Sequence, residues 1–229
     1  MIKENIKTIK AQIRQAAIAC GRNPEDITLC AATKMNNTEN IRLAIDAGID
    51  CCGENKVQEL VQKLSENAYA GVPIHFIGHL QTNKVRQVVG TVDLIQSVDS
   101  LRLLEAIQKE ANHKNIIQNI LLEINIGEEQ SKSGFFASEI HEICERMTEY
   151  PNIRVKGFMT IPPKSQNSKK NHKFFQEMYN LSVDITAKKY DNVLVDILSM
   201  GMSDDFTEAI TCGSTMIRIG TGIFGPRNY

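Results

Sequence analysis

The amino-acid sequence predicts an α/β protein folded as a single (β/α)₈ TIM barrel. Short apolar segments suited to strands alternate with helical segments along the chain, which is the pattern of a parallel sheet covered by helices. Eight such repeats occupy about 200 residues with short connections, and no GxGxxG motif follows the first strand. A closed barrel is therefore favoured over an open doubly wound sheet. We expect one domain over residues 1–229.

An additional helix precedes the first strand. Isoleucines recur at helical spacing from Ile2 to Ile13, and Ala16, Ala17 and Cys20 continue the same stripe. Gly21 is a suitable helix stop.

The first strand covers residues 27–32, which are β-branched or small and mostly apolar. The later strands are short apolar runs of the same kind, each bounded by glycine, proline or polar turn residues. They are predicted at 49–53, 74–78, 92–97, 120–125, 153–159, 193–198 and 216–219.

The helices between the strands carry apolar residues at helical spacing, and several begin at a residue suited to capping. Thr38 is expected to cap the first of them, which Gly48 ends, and either Asp99 or Ser100 is expected to cap the fourth. The predicted helices cover 38–47, 56–67, 83–89, a segment containing 103–107, 137–148, a segment containing 174–181, and 205–210.

Composition excludes several classes of protein. Lys and Arg number 26 against 27 Asp and Glu, a balance that argues against a dedicated nucleic-acid binder. No apolar run approaches the roughly 20 residues of a membrane span, and residues 1–10 contain no signal-peptide core. The six cysteines form no CxxC pair and no metal-ligand spacing with histidine. We expect a cytoplasmic protein with reduced thiols and no metal, nucleic-acid or membrane partner.

Lys34 is the first candidate functional residue, because working groups of such barrels lie where strands meet their loops. It follows the apolar strand 27–32. Burial lowers the pKa of a lysine and makes the neutral amine a nucleophile towards carbonyl groups. The alternative is a side chain that simply extends from the strand end into water.

The segments after the seventh and eighth strands are rich in glycine and hydroxyl groups. Loops at these two positions often bind phosphate in such barrels. Gly201 and Gly220 would let backbone N–H groups approach an anion, and Ser199 and Thr221 would add hydroxyl donors. A helix that begins near Asp204 would direct its N-terminus to the same place.

Arg218 precedes Gly220 by two residues, so both positions face the same side of a regular strand. An inward-facing arginine needs a partner, which is either a carboxylate such as Glu123 or a polar ring atom of a ligand. Other polar residues at strand ends are typical of turns and caps. They are Glu54, Asn55, His79, Gln81, Asp99 and Lys132.

These sites together indicate pyridoxal 5′-phosphate (PLP), which carries an aldehyde, a phosphate and a ring nitrogen. An arginine opposite the ring nitrogen would keep that nitrogen unprotonated and make the ring a poor electron sink. This arrangement limits the cofactor to undemanding carbanion chemistry or to none. A barrel that binds another phosphate ester is the remaining alternative.

Over essentially its whole length, the chain resembles the YggS/PROSC family of pyridoxal 5′-phosphate homeostasis proteins. The matching segments are Ala31-Ala32-Thr33-Lys34, Gly53-Glu54-Asn55, His75-Phe76-Ile77-Gly78-His79-Leu80-Gln81-Thr82-Asn83-Lys84, Ser131-Lys132-Ser133-Gly134-Phe135, Gly157-Phe158-Met159-Thr160, Leu198-Ser199-Met200-Gly201-Met202-Ser203-Asp204-Asp205-Phe206, and Gly213-Ser214-Thr215-Met216-Ile217-Arg218-Ile219-Gly220-Thr221-Gly222-Ile223-Phe224-Gly225.

The resemblance implies a barrel like the N-terminal domain of bacterial alanine racemase, in which Lys34 holds PLP as an internal aldimine, a Schiff base. It also implies that Arg218 faces the pyridine nitrogen and that Asn55 and His79 lie near the ring. The phosphate-binding positions that it implies are Ser199, Gly201, Gly220 and Thr221. Residues 35–36 depart from the pattern, because many members have a proline nearby.

Racemases of this fold carry a second domain, which supplies a tyrosine as the other acid/base. This chain ends at Tyr229, soon after the last predicted strand, so we expect no such domain. The expected protein is a monomeric PLP-binding protein of vitamin B6 homeostasis without catalytic turnover, and PLP-dependent apo-enzymes are its candidate recipients. The alternative is a PLP-dependent amino-acid racemase of low activity.

Overall fold

A computed structural model of the protein describes residues 1–129, 132–163 and 168–226. Ser131, in one of the matching segments, and Tyr229 lie outside these ranges. Eight parallel strands follow one another in chain order around a closed barrel. The strands are β1 (Thr28–Ala32), β2 (Cys51–Glu54), β3 (Ile74–Phe76), β4 (Leu94–Val98), β5 (Gln118–Glu123), β6 (Ile153–Met159), β7 (Val193–Ser199) and β8 (Met216–Ile219). The predicted fold class is confirmed.

One helix precedes the barrel strands, and a helix follows each of them. The helices are α1 (Ile2–Ala19), α2 (Thr38–Asp46), α3 (Val57–Ser65), α4 (Val85–Val88), α5 (Leu101–His113), α6 (Ile140–Glu145), α7 (Ser168–Lys188), α8 (Phe206–Thr211) and α9 (Thr221–Phe224). Within the described ranges, no helix combines the length and the apolar character that crossing a bilayer requires.

The predicted strands agree with the observed ones to within two residues at each end. The helix predicted at 137–148 is interrupted, because 3₁₀ turns precede and follow α6. The short helix α9 after β8 is absent from the prediction, since four residues are too few to display a helical period.

Capping side chains set where two of the helices begin. Ser100 caps α5 by accepting a hydrogen bond from the Leu103 N–H at 3.4 Å. Asn37 caps α2, because its side-chain oxygen accepts from the Asn40 N–H at 2.9 Å. The prediction of Thr38 as this cap is wrong, and Thr38 is instead the first residue of the helix.

Helix α1 packs on the part of the barrel that carries the last two loops. Its buried side chains include Ile6, Ile9 and Ile13, and its neighbours include α8 and α9. The Asn5 side chain donates a hydrogen bond to the Ile223 carbonyl at 2.9 Å. Cys20, predicted to continue the apolar stripe, is exposed because it lies beyond the last helical residue.

Two separate clusters of buried side chains make up the core. The larger one fills the layer between the strands and the helices. The smaller one fills the barrel interior and is rich in sulfur; its buried members are Cys30, Cys51, Leu94, Leu121, Met159 and Met216. Buried polar groups, including Arg218, Ser199, Gln96 and His75, complete this inner layer, which lies directly below the carboxyl ends of the strands.

Candidate functional site

Two adjoining cavities open at the carboxyl ends of the strands, and Lys34, Gly220 and Thr221 line both of them. The first, of about 200 Å³, also contains Asn55 and Arg218 in its lining. The second, of about 240 Å³, extends along α9. The cleft therefore brings together five of the residues predicted from the sequence.

The backbone around Lys34 is held in a fixed conformation. Lys34 is half-buried and lies two residues beyond the end of β1. The Met35 N–H donates to the Glu59 carboxylate at 2.7 Å, and Met35 adopts φ +62°, which is uncommon for a residue other than glycine. The Asn36 side chain donates to the Lys34 carbonyl at 3.0 Å. Lys34 therefore extends from a turn whose backbone is held by these contacts at the cleft wall. We call residues 34–36 the pinned turn.

A buried ion pair lies directly beneath this turn. The Lys63 ammonium is 2.6 Å from the Glu54 carboxylate, which is fully buried. Lys63 also donates to the Thr33 carbonyl at 2.9 Å and pairs with Glu59 at 3.0 Å. Tyr69 donates its hydroxyl proton to Glu54 at 3.1 Å, and burial together with the charge of Glu54 raises the pKa of Tyr69. This network joins the ends of β1 and β2 to α3.

Asn55 lines the cleft and carries an unsatisfied acceptor. Its backbone N–H donates to the Glu54 carboxylate at 2.8 Å. Its side-chain oxygen Oδ1 is buried and has no hydrogen-bond partner within the described part of the chain. A buried acceptor without a donor costs free energy, so this atom is suited to a donor from a bound molecule.

Arg218 lies on β8, the strand next to β1, and is 5% exposed. Its guanidinium donates to Ser199 Oγ at 2.6 Å and to the Thr160 carbonyl at 2.8 Å. Burial lowers the pKa of Arg218. Among the described residues, no carboxylate lies within the 4.0 Å that defines an ion pair with it, and Glu123 interacts with it only at longer range. Of the two predicted partners, the carboxylate is therefore absent at contact distance.

A chain of hydrogen bonds leads from Arg218 into the barrel. Ser199 Oγ lies 2.7 Å from Gln96 Oε1, and Gln96 Nε2 lies 2.9 Å from His75 Nδ1. A guanidinium can only donate. Ser199 Oγ therefore accepts from Arg218 and donates its own O–H to Gln96 Oε1, and the Gln96 amide N–H donates to His75 Nδ1. This polarity makes His75 Nδ1 an acceptor.

Three of the predicted residues do not line the cleft. Ser199 is fully buried below it, because its hydroxyl is bonded to Arg218 and Gln96. Gly201 is buried at φ +94°, and its carbonyl accepts the Arg218 N–H at 3.0 Å. His79 is mostly exposed and lies 3.0 Å from Asp99. Gly201 shapes the loop, and the His79–Asp99 pair lies beyond β3 and β4.

Ser203 is a site residue that the sequence prediction left out. Its hydroxyl accepts the Gly222 N–H at 3.2 Å and lies 3.2 Å from the Thr221 hydroxyl. Ser203 lines the cleft together with Gly220 and Thr221. We call these three residues and Gly222 the phosphate cup, after the ligand that the sequence analysis predicts for these two loops. Ser203 belongs to the same glycine-rich segment as Ser199, so the composition of that segment was a signal for it.

The closed barrel and the lysine at its rim define the class of barrels found in alanine racemases. The family described as "Alanine racemase, N-terminal domain" matches residues 2–228. A pyridoxal phosphate homeostasis protein of Aquifex aeolicus (strain VF5) is 39% identical over 226 residues, which cover 99% of this chain and 98% of that protein. The protein of the same name from Escherichia coli (strain K12) is 40% identical, with 100% and 97% covered. The chain belongs to the family of pyridoxal phosphate homeostasis proteins.

Solved structures agree with this assignment. An unknown protein from Bifidobacterium adolescentis superposes with a TM-score of 0.91 at 33% identity, covering 97% of this chain and 94% of that one. PipY of Synechococcus elongatus PCC7942 with PLP bound gives 0.85 at 26% identity, covering 98% and 100%. Alanine racemase of Clostridium difficile 630 gives 0.75 at 17% identity and is covered over 58% of its length, which shows a shared fold.

The half-buried carboxyl of Glu123 makes stability depend on pH. Burial and the nearby charge of Asp99 raise the pKa of Glu123 to about 7. Between the unfolded value of 4.5 and about 7, the unfolded chain ionises at this position while the folded chain keeps its proton. The contribution of Glu123 to the free energy of unfolding therefore falls as pH rises through this window and is constant above it.

We predict that Glu123→Gln removes this loss. Urea unfolding at pH 5 should give the variant and the wild type similar free energies of unfolding. At pH 8 the variant should be more stable by roughly 1–3 kcal/mol. Glu39→Gln, an exposed carboxylate on α2, is the control and should show no such change. An equal difference at both pH values would contradict the prediction.

Proposed function

We propose that the protein binds PLP covalently through Lys34 and takes part in PLP homeostasis by holding and releasing the cofactor. The observation that carries this proposal is the convergence on one cleft of an amine, a guanidinium and the phosphate cup. The names of the full-length relatives and the PLP bound to PipY support it.

The residues of the cleft fit the chemistry of this cofactor. PLP supplies an aldehyde that condenses reversibly with amines. Lys34 Nζ would form the C=N bond with the aldehyde carbon while water leaves. The buried Asn55 Oδ1, which has no donor among the described residues, would accept one from the bound molecule. The pinned turn at Met35 holds the lysine in place for this reaction.

Arg218 is suited to the ring nitrogen because a guanidinium donates and cannot accept a proton. A nitrogen that receives its hydrogen bond stays unprotonated, so the ring withdraws electrons weakly. The hydrogen bonds to Ser199 and Thr160 hold the guanidinium at the cleft wall. This electronic arrangement suits storage of the cofactor better than carbanion chemistry.

The phosphate cup would hold the anionic end. Ser203 and Thr221 supply hydroxyl donors. Gly220 leaves space for the phosphate to approach the backbone closely, because a Cβ atom added at this position would have no neighbour nearer than the Ala32 Cβ at 3.5 Å. Among the described residues, the ionisable side chains that line the first cavity are those of Lys34, Asp204 and Arg218.

The proposed setting is the cytoplasm, and the proposed acting form is a monomer that exchanges PLP with amines and with apo-enzymes that need it. All six cysteines lie in the described residues and are free thiols, which suits a reducing compartment. An incoming amine would displace Lys34 from the aldehyde carbon and carry the cofactor away.

We predict that Lys34→Ala abolishes the visible absorbance of the PLP complex and the adduct that borohydride fixes. The methyl group of alanine cannot form the C=N bond. Lys56→Ala is the matched control, because Lys56 is another lysine just beyond a strand end and is exposed to solvent. Peptide mapping of the reduced complex should place the label on Lys34. A label that persists in Lys34→Ala would overturn the assignment.

Removal of the hydroxyl donors of the phosphate cup should weaken binding of the phosphorylated ligand selectively. Thr221→Val and Ser203→Ala each delete a hydrogen bond to a charged group, worth about 1.5–3 kcal/mol. We expect a loss of about 10–100-fold in affinity for PLP with little change for pyridoxal. Thr38→Val on α2 is the control. Equal losses for both ligands would show that these residues do not contact the phosphate.

Turnover as a racemase is tested separately by exchange of the α-hydrogen of amino acids in deuterated water. Two-sided proton transfer needs a second acid/base opposite the lysine. We expect exchange far below the ordinary enzymatic range of about 1–10³ per second for a panel of amino acids. Saturable exchange within that range would make the protein an enzyme while leaving its binding of PLP intact.

A further inference from the structure

The barrel interior holds a cluster of metal-binding groups that the proposed function does not use. Cys30, Cys51 and His75 come from three consecutive strands, and their sulfur and nitrogen atoms all lie within 4.8 Å of one another. Cys30 pairs in register with Cys51 on one side and with Arg218 on the other. The cluster therefore lies next to the guanidinium at the floor of the cleft.

The spacing of the cluster suits ligands of one ion. Bonds of about 2.3 Å to sulfur and about 2.0 Å to imidazole nitrogen place two ligands of one ion roughly 3.5–4.0 Å apart, over the range from tetrahedral to trigonal angles. Cys51 Sγ lies 3.5 Å from His75 Nδ1. All three side chains are buried, with exposures of 0%, 2% and 7%, so a bound ion would be shielded from water.

His75 already has the form that a ligand needs. The hydrogen-bond polarity that starts at Arg218 makes Nδ1 an acceptor, so this nitrogen carries a lone pair that a metal ion could take in place of the Gln96 N–H. A metal ion bound to Nδ1 would take the place of the hydrogen bond that this nitrogen now accepts from the Gln96 amide. That exchange would leave Ser199 and Arg218 in place.

The softness of the three ligands and the charge of the nearby Arg218 together favour one kind of metal ion. Two thiolates and an imidazole form a soft ligand set, which favours Cu(I) or Zn(II) over harder cations. Two thiolates around Cu(I) carry a net charge of −1. That charge would balance the buried guanidinium of Arg218, which has no carboxylate at contact distance among the described residues. Thiolates with Zn(II) would be neutral and leave the arginine uncompensated.

We propose that Cys30, Cys51 and His75 form a binding site for one Cu(I) ion beneath the cofactor cleft. Binding exchanges the ion for the thiol protons, which pass to solvent, and no electron is transferred. The chain spacing of cysteine and histidine did not reveal this site, because three separate strands supply the ligands and only the barrel register brings them together.

The test is an anaerobic competition between the protein and a chromophoric Cu(I) chelator, in the Cys20→Ser background that removes the exposed thiol. The parent should withdraw one equivalent of copper. Cys51→Ala should lower the affinity at least 100-fold, and X-ray absorption of the parent complex should show two sulfur ligands and one nitrogen ligand.

Cys52→Ala is the matched control, because Cys52 is the next residue on β2, is equally buried and belongs to the outer core cluster. This variant should bind copper like the parent. Thermal unfolding of both alanine variants, together with their borohydride-reducible PLP adduct at Lys34, checks that the barrel is intact. Unchanged copper affinity in Cys51→Ala, or an equal loss in Cys52→Ala, would overturn the site without touching the proposed binding of PLP.

Discussion

The buried ion pair between Lys63 and Glu54 is the constraint on which the cleft depends. Burying either charge alone would cost free energy, so the two side chains stay paired. The pair also fixes the backbone groups that are hydrogen-bonded to it. Lys63 also donates to the Thr33 carbonyl, one residue before Lys34, while the other oxygen of Glu54 accepts the Asn55 N–H. One interaction thus places Lys34 and Asn55 on the same wall.

The strand pattern is readable from the sequence because both faces of a parallel barrel strand are mostly buried, which makes each strand a continuous apolar run. The positions of Lys34, Gly220 and Thr221 in the cleft follow from the same pattern, since loops begin where such runs end. Arg218 follows from its place two residues before Gly220 on the last strand. The pinned turn and the ion pair beneath it could not be predicted, because they depend on how β1, β2 and α3 meet in space.

Ser199 shows that a site prediction depends on which way a side chain points from its strand. It ends β7 and belongs to the expected segment, yet its hydroxyl enters the barrel and supports Arg218 from below. Ser203, four residues later, reaches the cleft. Side chains on a strand alternate between faces, and a turn after the strand resets that alternation. The composition of this segment therefore predicts that hydroxyl groups lie near the cleft, whereas only the fold shows which hydroxyl faces it.

The groups proposed to anchor PLP occupy one arc of the rim. The phosphate cup follows β7 and β8, and Lys34 follows β1, which is the neighbour of β8 in the closed barrel. His79 and Asp99 stand on the far arc, after β3 and β4. A molecule held along this arc would have its opposite edge towards the loops after β3 and β4, so an incoming amine would approach over those loops. Selectivity among amines would consequently be decided by loops that take no part in retention, and the two properties could diverge independently during evolution.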